Sequence, residues 1–203
     1  MLSDVSWETY ECLLNDYLER PGIRFTYDDG RLEILERFFR HEESNRTLEL
    51  LIWVLAEEIE LDIEPVGSTT FKREDLRKGF EPDSCFYTRN IAAVKGKSDL
   101  DLMIDPPPDI VIEVDITTES LNKLPILAGL GVPEVWYYKD EKVTIYKLEG
   151  GAYLEAEHSP TFPILTSEMA TQFLEESAEM KSTDWLRRVR EWARGQMKLQ
   201  SPE

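Results

Sequence analysis

Pro107-Pro108-Asp109-Ile110-Val111-Ile112-Glu113-Val114-Asp115-Ile116 is the stretch whose reading decides the fold. A proline brake runs into an apolar segment that carries three acids. The β-branched run predicts a strand, and alternate side chains on a strand point to opposite faces. Ile110, Ile112, Val114 and Ile116 then share one face, and Asp109, Val111, Glu113 and Asp115 share the other. An acidic row on so apolar a strand is costly unless a metal, a cation or hydrogen bonds meet it. Chemistry is therefore expected here.

Working outward, the segment after this strand offers helix caps at Thr117-Thr118-Glu119-Ser120. A helix containing Lys123 and Pro125 is expected up to Gly129-Leu130-Gly131, with Pro125 in its first turn or kinking it. Residues 132–138 and 142–148 read as strands joined at Lys139-Asp140-Glu141, and Gly150-Gly151 opens a further hairpin. Thr166 or Ser167 caps a helix, and a last helix starts near Thr183. Its inner side carries Trp185, Val189, Trp192 and Gln196, and Arg187, Arg188, Arg190, Arg194 and Lys198 make a basic exterior.

Towards the N-terminus, Ser6 can cap a helix with the apolar face Trp7, Tyr10, Leu13, Leu14, Tyr17 and Leu18. Alternating residues 23–27 and 31–35 around Asp28-Asp29-Gly30 predict a β-hairpin. From about His41 to Leu61 the period turns helical, with a stripe of Leu48, Leu51, Ile52, Leu55 and Ile59. His41, Ser44 and Asn45 continue that stripe at its N-terminal end, with Glu42 and Glu43 to either side. These polar residues either border a pocket or cap the helix, and the two readings weigh equally. Asp62 to Phe71 reads as a strand, 72–79 as a charged loop or short turn, and Glu81–Tyr87 as a strand led by Pro82. Residues 90–106 read as irregular.

The chain of 203 residues is long enough for one sizeable core, and 41% hydrophobic with 32% charged residues reads as globular and soluble. One α/β domain over residues 1–203 is the simplest account: a mixed sheet flanked by helices, with an N-terminal helix-hairpin, a core over about 23–165 and a C-terminal helical extension over about 166–200. No apolar run approaches the roughly 20 residues of a membrane span. The N-terminus lacks a signal-peptide pattern, and Cys12 and Cys85 lack metal-type spacing. Free thiols in a reducing cytoplasm are the expectation. The net charge of −18 works against loose nucleic-acid binding, although a local basic patch could still bind. The 72–78 cluster and the last helix are the best phosphate-facing candidates.

Three residues form the candidate chemistry. Asp83 follows a proline at the start of one strand, Glu113 lies thirty positions on in another, and Lys123 follows ten later. Two carboxylates on adjacent strands can hold a Mg²⁺-like cation, with waters completing its shell. A nearby lysine can orient or deprotonate a water, or stabilise a developing negative oxygen. These are the parts of phosphodiester hydrolysis. The bland readings are a strand-start cap for Asp83 and a structural salt bridge for Glu113 and Lys123. Asp109 reads as a loop-to-strand cap. Asp115 reads as a second metal ligand or, preferably, an acceptor for the Thr117-Thr118 turn. Trp136, Tyr137 and Tyr138 read as sheet core rather than a base-stacking platform.

The proline-acid start of one strand and the acid of the next resemble the PD-(D/E)XK nuclease superfamily. The position two after Glu113, where that pattern has lysine, holds Asp115, and Lys123 on the following helix is the substitute, a migration that occurs within the superfamily. Glu81-Pro82-Asp83, Pro108–Val114 and Gly131–Trp136, with His41–Arg46 and Gly67–Thr70, are similar to the Uma-two family of restriction-endonuclease-like proteins. The likeness spans about Tyr10 to Leu165. It implies a restriction-endonuclease-like core, a Mg²⁺- or Mn²⁺-dependent endonuclease acting on DNA, and commonly a homodimer. Asp83, Glu113 and Lys123 carry over as catalytic residues, Asp83 and Glu113 as metal ligands, and Glu42 or His41 as a helix-borne member. The alternative is a catalytically silent nuclease fold used for interaction or regulation.

Overall fold

A computed structural model describes residues 1–17, 22–36, 39–67, 69–115 and 121–200. Helix α1 (Trp7–Tyr17) begins as expected: the Ser6 hydroxyl accepts the Thr9 N–H at 3.1 Å. Strands β1 (Ile23–Asp28) and β2 (Arg31–Glu36) pair antiparallel across Asp29 and Gly30, both at positive φ. That is the geometry of a tight hairpin turn. Tyr10 of α1 stacks on Tyr27 of β1 at 4.9 Å, and Trp7 closes the cluster edge-on. One face of the hairpin is thereby apolar and covered by α1.

Helix α2 (Phe39–Glu58) buries Leu48, Leu51, Ile52 and Leu55 completely. Beyond it the strand expected over 62–71 breaks into β3 (Glu64–Pro65) and β4 (Phe71–Arg73). Pro65 lacks an N–H for continued pairing, and Gly67 turns the chain at positive φ. The charged segment that follows is a hairpin: β5 (Lys78–Phe80) returns on β4. Then come β6 (Ser84–Tyr87), a short α3 (Ile91–Val94), and β7 (Ile110–Asp115), the strand quoted above. Helix α4 (Leu124–Leu130) has Lys123 at its N-cap rather than within it, Pro125 in its first turn, and the left-handed Gly131 as its C-cap.

Strands β8 (Glu134–Lys139), β9 (Lys142–Glu149) and β10 (Ala152–Glu155) follow as a meander. Helix α5 (Ser167–Glu179) has Thr166 as N-cap, and α6 (Ser182–Gln200) ends the described chain. No helix among the described residues is long and apolar enough to cross a membrane.

The mixed sheet expected from the sequence is the six-stranded β10-β9-β8-β7-β6-β3, and the N-terminal hairpin joins β5 and β4 in a second sheet, β2-β1-β5-β4. Within the larger sheet only β7 and β8 run parallel, as a crossover through α4 requires. β7 is buried on both faces. Ile110, Ile112 and Val114 belong to the core that α2, α5 and α6 also line, while Val111 belongs to the one lined by α4. Each such side chain contributes about 1.5–3 kcal/mol of apolar burial. The arginines of α6 are ion-paired: Arg190 and Arg194 reach Glu57 and Glu58 of α2 at 3.0 and 2.7 Å, and Arg188 and Arg187 reach Glu176 and Asp184. Lys72, Arg73, Arg77 and Lys78 are likewise ion-paired to Glu11, Asp75, Asp29 and Asp28.

Gly79 of β5 lies against Tyr10, where an added Cβ would collide with the phenol oxygen. Gly79→Ala is expected to cost about 1–3 kcal/mol of stability by overpacking. Urea denaturation checks it, and an unchanged midpoint would show that α1 has room to shift.

Candidate functional site

Asp83 and Glu113 meet at the point where the β6–β7 ladder ends. The last backbone pair there is Ser84 with Ile112. One residue further, side chains take over the pairing. The Asp83 N–H donates to Glu113 Oε1 at 3.1 Å, and the Val114 N–H donates to Asp83 Oδ2 at 2.8 Å. Each acid thus satisfies an amide on or beside the other's strand position. The second oxygens face cations. Arg24 of β1 pairs with Asp83 Oδ1, and Lys123 at the start of α4 donates to Glu113 Oε2 at 2.6 Å. Three residues from three separated segments, Asp83, Glu113 and Lys123, are therefore joined by hydrogen bonds, and all are buried.

Burial drives the Glu113 carboxyl up to about 7, with the Asp83 charge adding to the rise and the Lys123 ammonium opposing it. For Lys123 burial favours the neutral amine, but the charges of Glu113 and Asp83 outweigh it and hold the group above the ordinary lysine value. Below the site, burial also raises the Cys85 thiol, which makes it a poor nucleophile.

The remaining expectations divide. Asn45 borders the site: its amide donates to Ser84 Oγ at 3.0 Å and reaches the Asp83 carbonyl at 3.5 Å. Glu42 is half-buried on α2, and the ion pair described for it is with Arg46, at 3.8 Å on its own helix. The side chain of His41 lies outside the described residues, as does the Thr117-Thr118 turn. Asp109 is a cap, accepting the N–H groups of Thr88 and Arg89 at 2.8 and 2.9 Å. Asp115 accepts from the Tyr137 hydroxyl at 3.1 Å and from Lys139 at 3.0 Å. Trp136 is fully buried in the sheet core.

Four residues at the site were not foreseen. Arg24 reaches Asp83 and also the Glu81 and Asp83 carbonyls at 3.2 and 3.1 Å. Glu33 of β2 accepts the Leu121 N–H at 2.7 Å, two residues before Lys123. Glu81 bridges the Phe25 N–H and the Thr70 hydroxyl, at 3.1 and 2.7 Å. Glu49 of α2 shares Ser84 Oγ with Asn45. The i, i+4 spacing of Asn45 and Glu49 was a usable signal, since it puts both on one helix face. Arg24 and Glu33 gave no such signal. Strand alternation places them opposite the apolar residues, the side that ordinarily faces water.

A family model, Uma2, described as "Putative restriction endonuclease", matches residues 7–178. The chain belongs to the Uma2 family. Among solved structures, it matches one described as a "putative nuclease belonging to DUF820" from Anabaena variabilis, with TM-score 0.53 and 13% identity over 79% of this chain and 98% of that one. At that identity the likeness is one of fold. No curated protein matches. The mixed sheet flanked by helices, the N-terminal helix-hairpin and the C-terminal helices accord with this membership.

Restriction-endonuclease-like proteins generally use divalent metals, and the donor set fits a hard, hydrated cation of the Mg²⁺ kind. It supplies two carboxylates, and among the described residues no three or more His, Cys, Asp or Glu are grouped so that they could hold a metal ion between them. Mg²⁺ is commonly held by one or two carboxylates, with water or substrate oxygens completing its shell. Each Glu113 oxygen accepts one contact, and a carboxylate oxygen has lone pairs for two.

Two outcomes follow from this geometry. Arg24→Leu breaks a buried ion pair with Asp83 and is expected to cost about 3–5 kcal/mol, measured by denaturant unfolding. For Glu113 the folded-state pKa lies above the unfolded one, so the folded chain holds the extra proton between about 4.5 and about 7. Its contribution is most favourable below that window and is lost as pH rises through it. Relative to Glu113→Gln, metal-free wild-type protein should lose on the order of 3 kcal/mol across the window. Parallel pH profiles of the two proteins would refute the assignment.

Proposed function

We propose that this Uma2 protein is a divalent-cation-dependent nuclease that hydrolyses phosphodiester bonds in DNA. The observation that carries the reading is the meeting of Asp83, Glu113 and Lys123 at one buried point from three separate segments. Asp83 and Glu113 would hold the Mg²⁺ or Mn²⁺. When bound, that ion supplies Lewis-acid polarisation of a phosphate oxygen and lowers the pKa of water. Lys123 brings a donor and a positive charge to the same point, to orient the attacking water or to neutralise the phosphate. In the reaction a P–O bond forms to the water oxygen and the ester P–O bond breaks. The water gives up a proton, and the leaving oxygen ends protonated. Asn45 and Glu49 hold Ser84, and through it the start of the Asp83 strand. Glu42 is a further helix-borne candidate, and the active form is proposed to be a homodimer.

Two features favour the alternative, a silent fold used for interaction. Arg24 and Lys123 already balance the two carboxylates. The chain carries −18 net charge, and the lysines and arginines of 72–78 and those of α6 described above serve its own acids. DNA binding by such a surface is weak unless the salt is low.

The deciding assay incubates plasmid and linear DNA with the protein and Mg²⁺ or Mn²⁺ at low salt. Cleavage is expected, with loss of at least about 100-fold in Asp83→Asn and in Lys123→Met, a cost typical of removing one electrostatic catalytic group. Absence of cleavage, or cleavage indifferent to Asp83→Asn, favours the silent fold.

A further inference from the structure

Among the described residues six buried side-chain nitrogen or oxygen atoms have no hydrogen-bond partner, and three of them border this site: Arg24 Nε, Asn45 Oδ1 and Glu33 Oε2. Buried polar atoms are rarely left unpaired, and unpaired charge is the most costly case. Arg24 is matched by Asp83, and Lys123 by Glu113, so those four charges cancel. Glu33 is the excess. It is 2% exposed, and only its Oε1 is engaged, by the Leu121 N–H at 2.7 Å.

Strand register aims it at the site. On β2 Glu33 stands opposite Thr26, and Leu35 opposite Arg24, so Glu33 and Arg24 share a face of the hairpin. Arg24 reaches Asp83 from that face. Glu33 reaches the backbone leading into Lys123, and its charge is felt by both Lys123 and Tyr137.

We infer that Glu33 is a third acid of the cation site, its free Oε2 serving as an outer-shell acceptor for the hydrated divalent ion held by Asp83 and Glu113. This rests on the metal-dependent reading above. An outer role is indicated because no three acids among the described residues lie close enough to hold one ion directly. Mg²⁺ gives up water reluctantly, so a carboxylate just beyond coordination reach accepts from that water instead. Such outer partners commonly set metal affinity by 10–100-fold. The inference also explains why a buried carboxylate is left half-satisfied: without the ion, Glu33 Oε2 has no hydrogen-bond partner.

The test is calorimetric titration of Mn²⁺ into the full chain, with melting curves with and without the ion, for wild type, Asp83→Asn and Glu33→Gln. The glutamine side chain keeps an oxygen for the Leu121 N–H, and circular dichroism checks that the variant folds. Wild type should bind Mn²⁺, Asp83→Asn should lose binding, and Glu33→Gln should bind about 10–100-fold more weakly. Metal-free Glu33→Gln should melt at or above wild type, because an unpaired buried charge is gone. Glu33→Asp, which keeps the charge but withdraws it by one methylene, should also weaken binding. Wild-type affinity in both Glu33 variants, with binding still lost in Asp83→Asn, overturns the role of Glu33 alone. No Mn²⁺ binding by wild type overturns the metal-dependent reading and this inference together. A metal-free Glu33→Gln that melts well below wild type also overturns it, because Oε2 then has a structural partner.

Discussion

The site depends on an exchange between two strand ends. Where β6 and β7 run out of backbone partners, Glu113 takes the Asp83 amide and Asp83 takes the Val114 amide. Two carboxylates that would repel each other are thereby anchored by the backbone itself. The amides fix one oxygen of each acid, and the second oxygens then point to where Arg24 and Lys123 arrive. Because β7 is buried on both faces, neither strand can move to relax this arrangement without opening a core.

Charge balance in that anchored pair comes from distant parts of the chain. Arg24 lies on the N-terminal hairpin, held in place by the aromatic cluster of Trp7, Tyr10 and Tyr27 behind it. Lys123 lies at the N-cap of α4, whose Ile126, Leu127 and Leu130 pack against Val111 and Val135. Burying ion pairs is costly, and their replacement by apolar side chains is often neutral or stabilising. Arg24–Asp83 and Glu113–Lys123 are therefore not explained by stability alone.

The surface is built for weak attraction to any polyanion. The positive residues of the β4–β5 segment and of α6 discussed above are spent on the chain's own acids, as with Arg194 on Glu58. These contacts join α6 to α2 and close the hairpins. They leave long-range steering of a polyanion to features other than net charge, which is −18.

Much was legible from sequence alone. The proline brake, β-branched run and embedded acids of 107–116 marked the central strand, Asp-Asp-Gly marked the hairpin, and the Leu48–Leu55 stripe marked α2. Glu113 stood out because an acid in a core strand needs a partner, whereas Asp83 and Lys123 came with it from the resemblance to the nuclease superfamily. The broken strand over 62–71, the division into two sheets, and the parts of Arg24, Glu33, Glu49 and Glu81 were not. Alternation along β1 and β2 separates polar from apolar residues, but it cannot say whether the polar face meets water or another sheet. Local pattern thus determined which segments are strands and helices and which acids are under strain. Only the tertiary structure decided that the polar face of the hairpin closes over Asp83, because that depends on contacts between residues 59 positions apart, which no local period encodes.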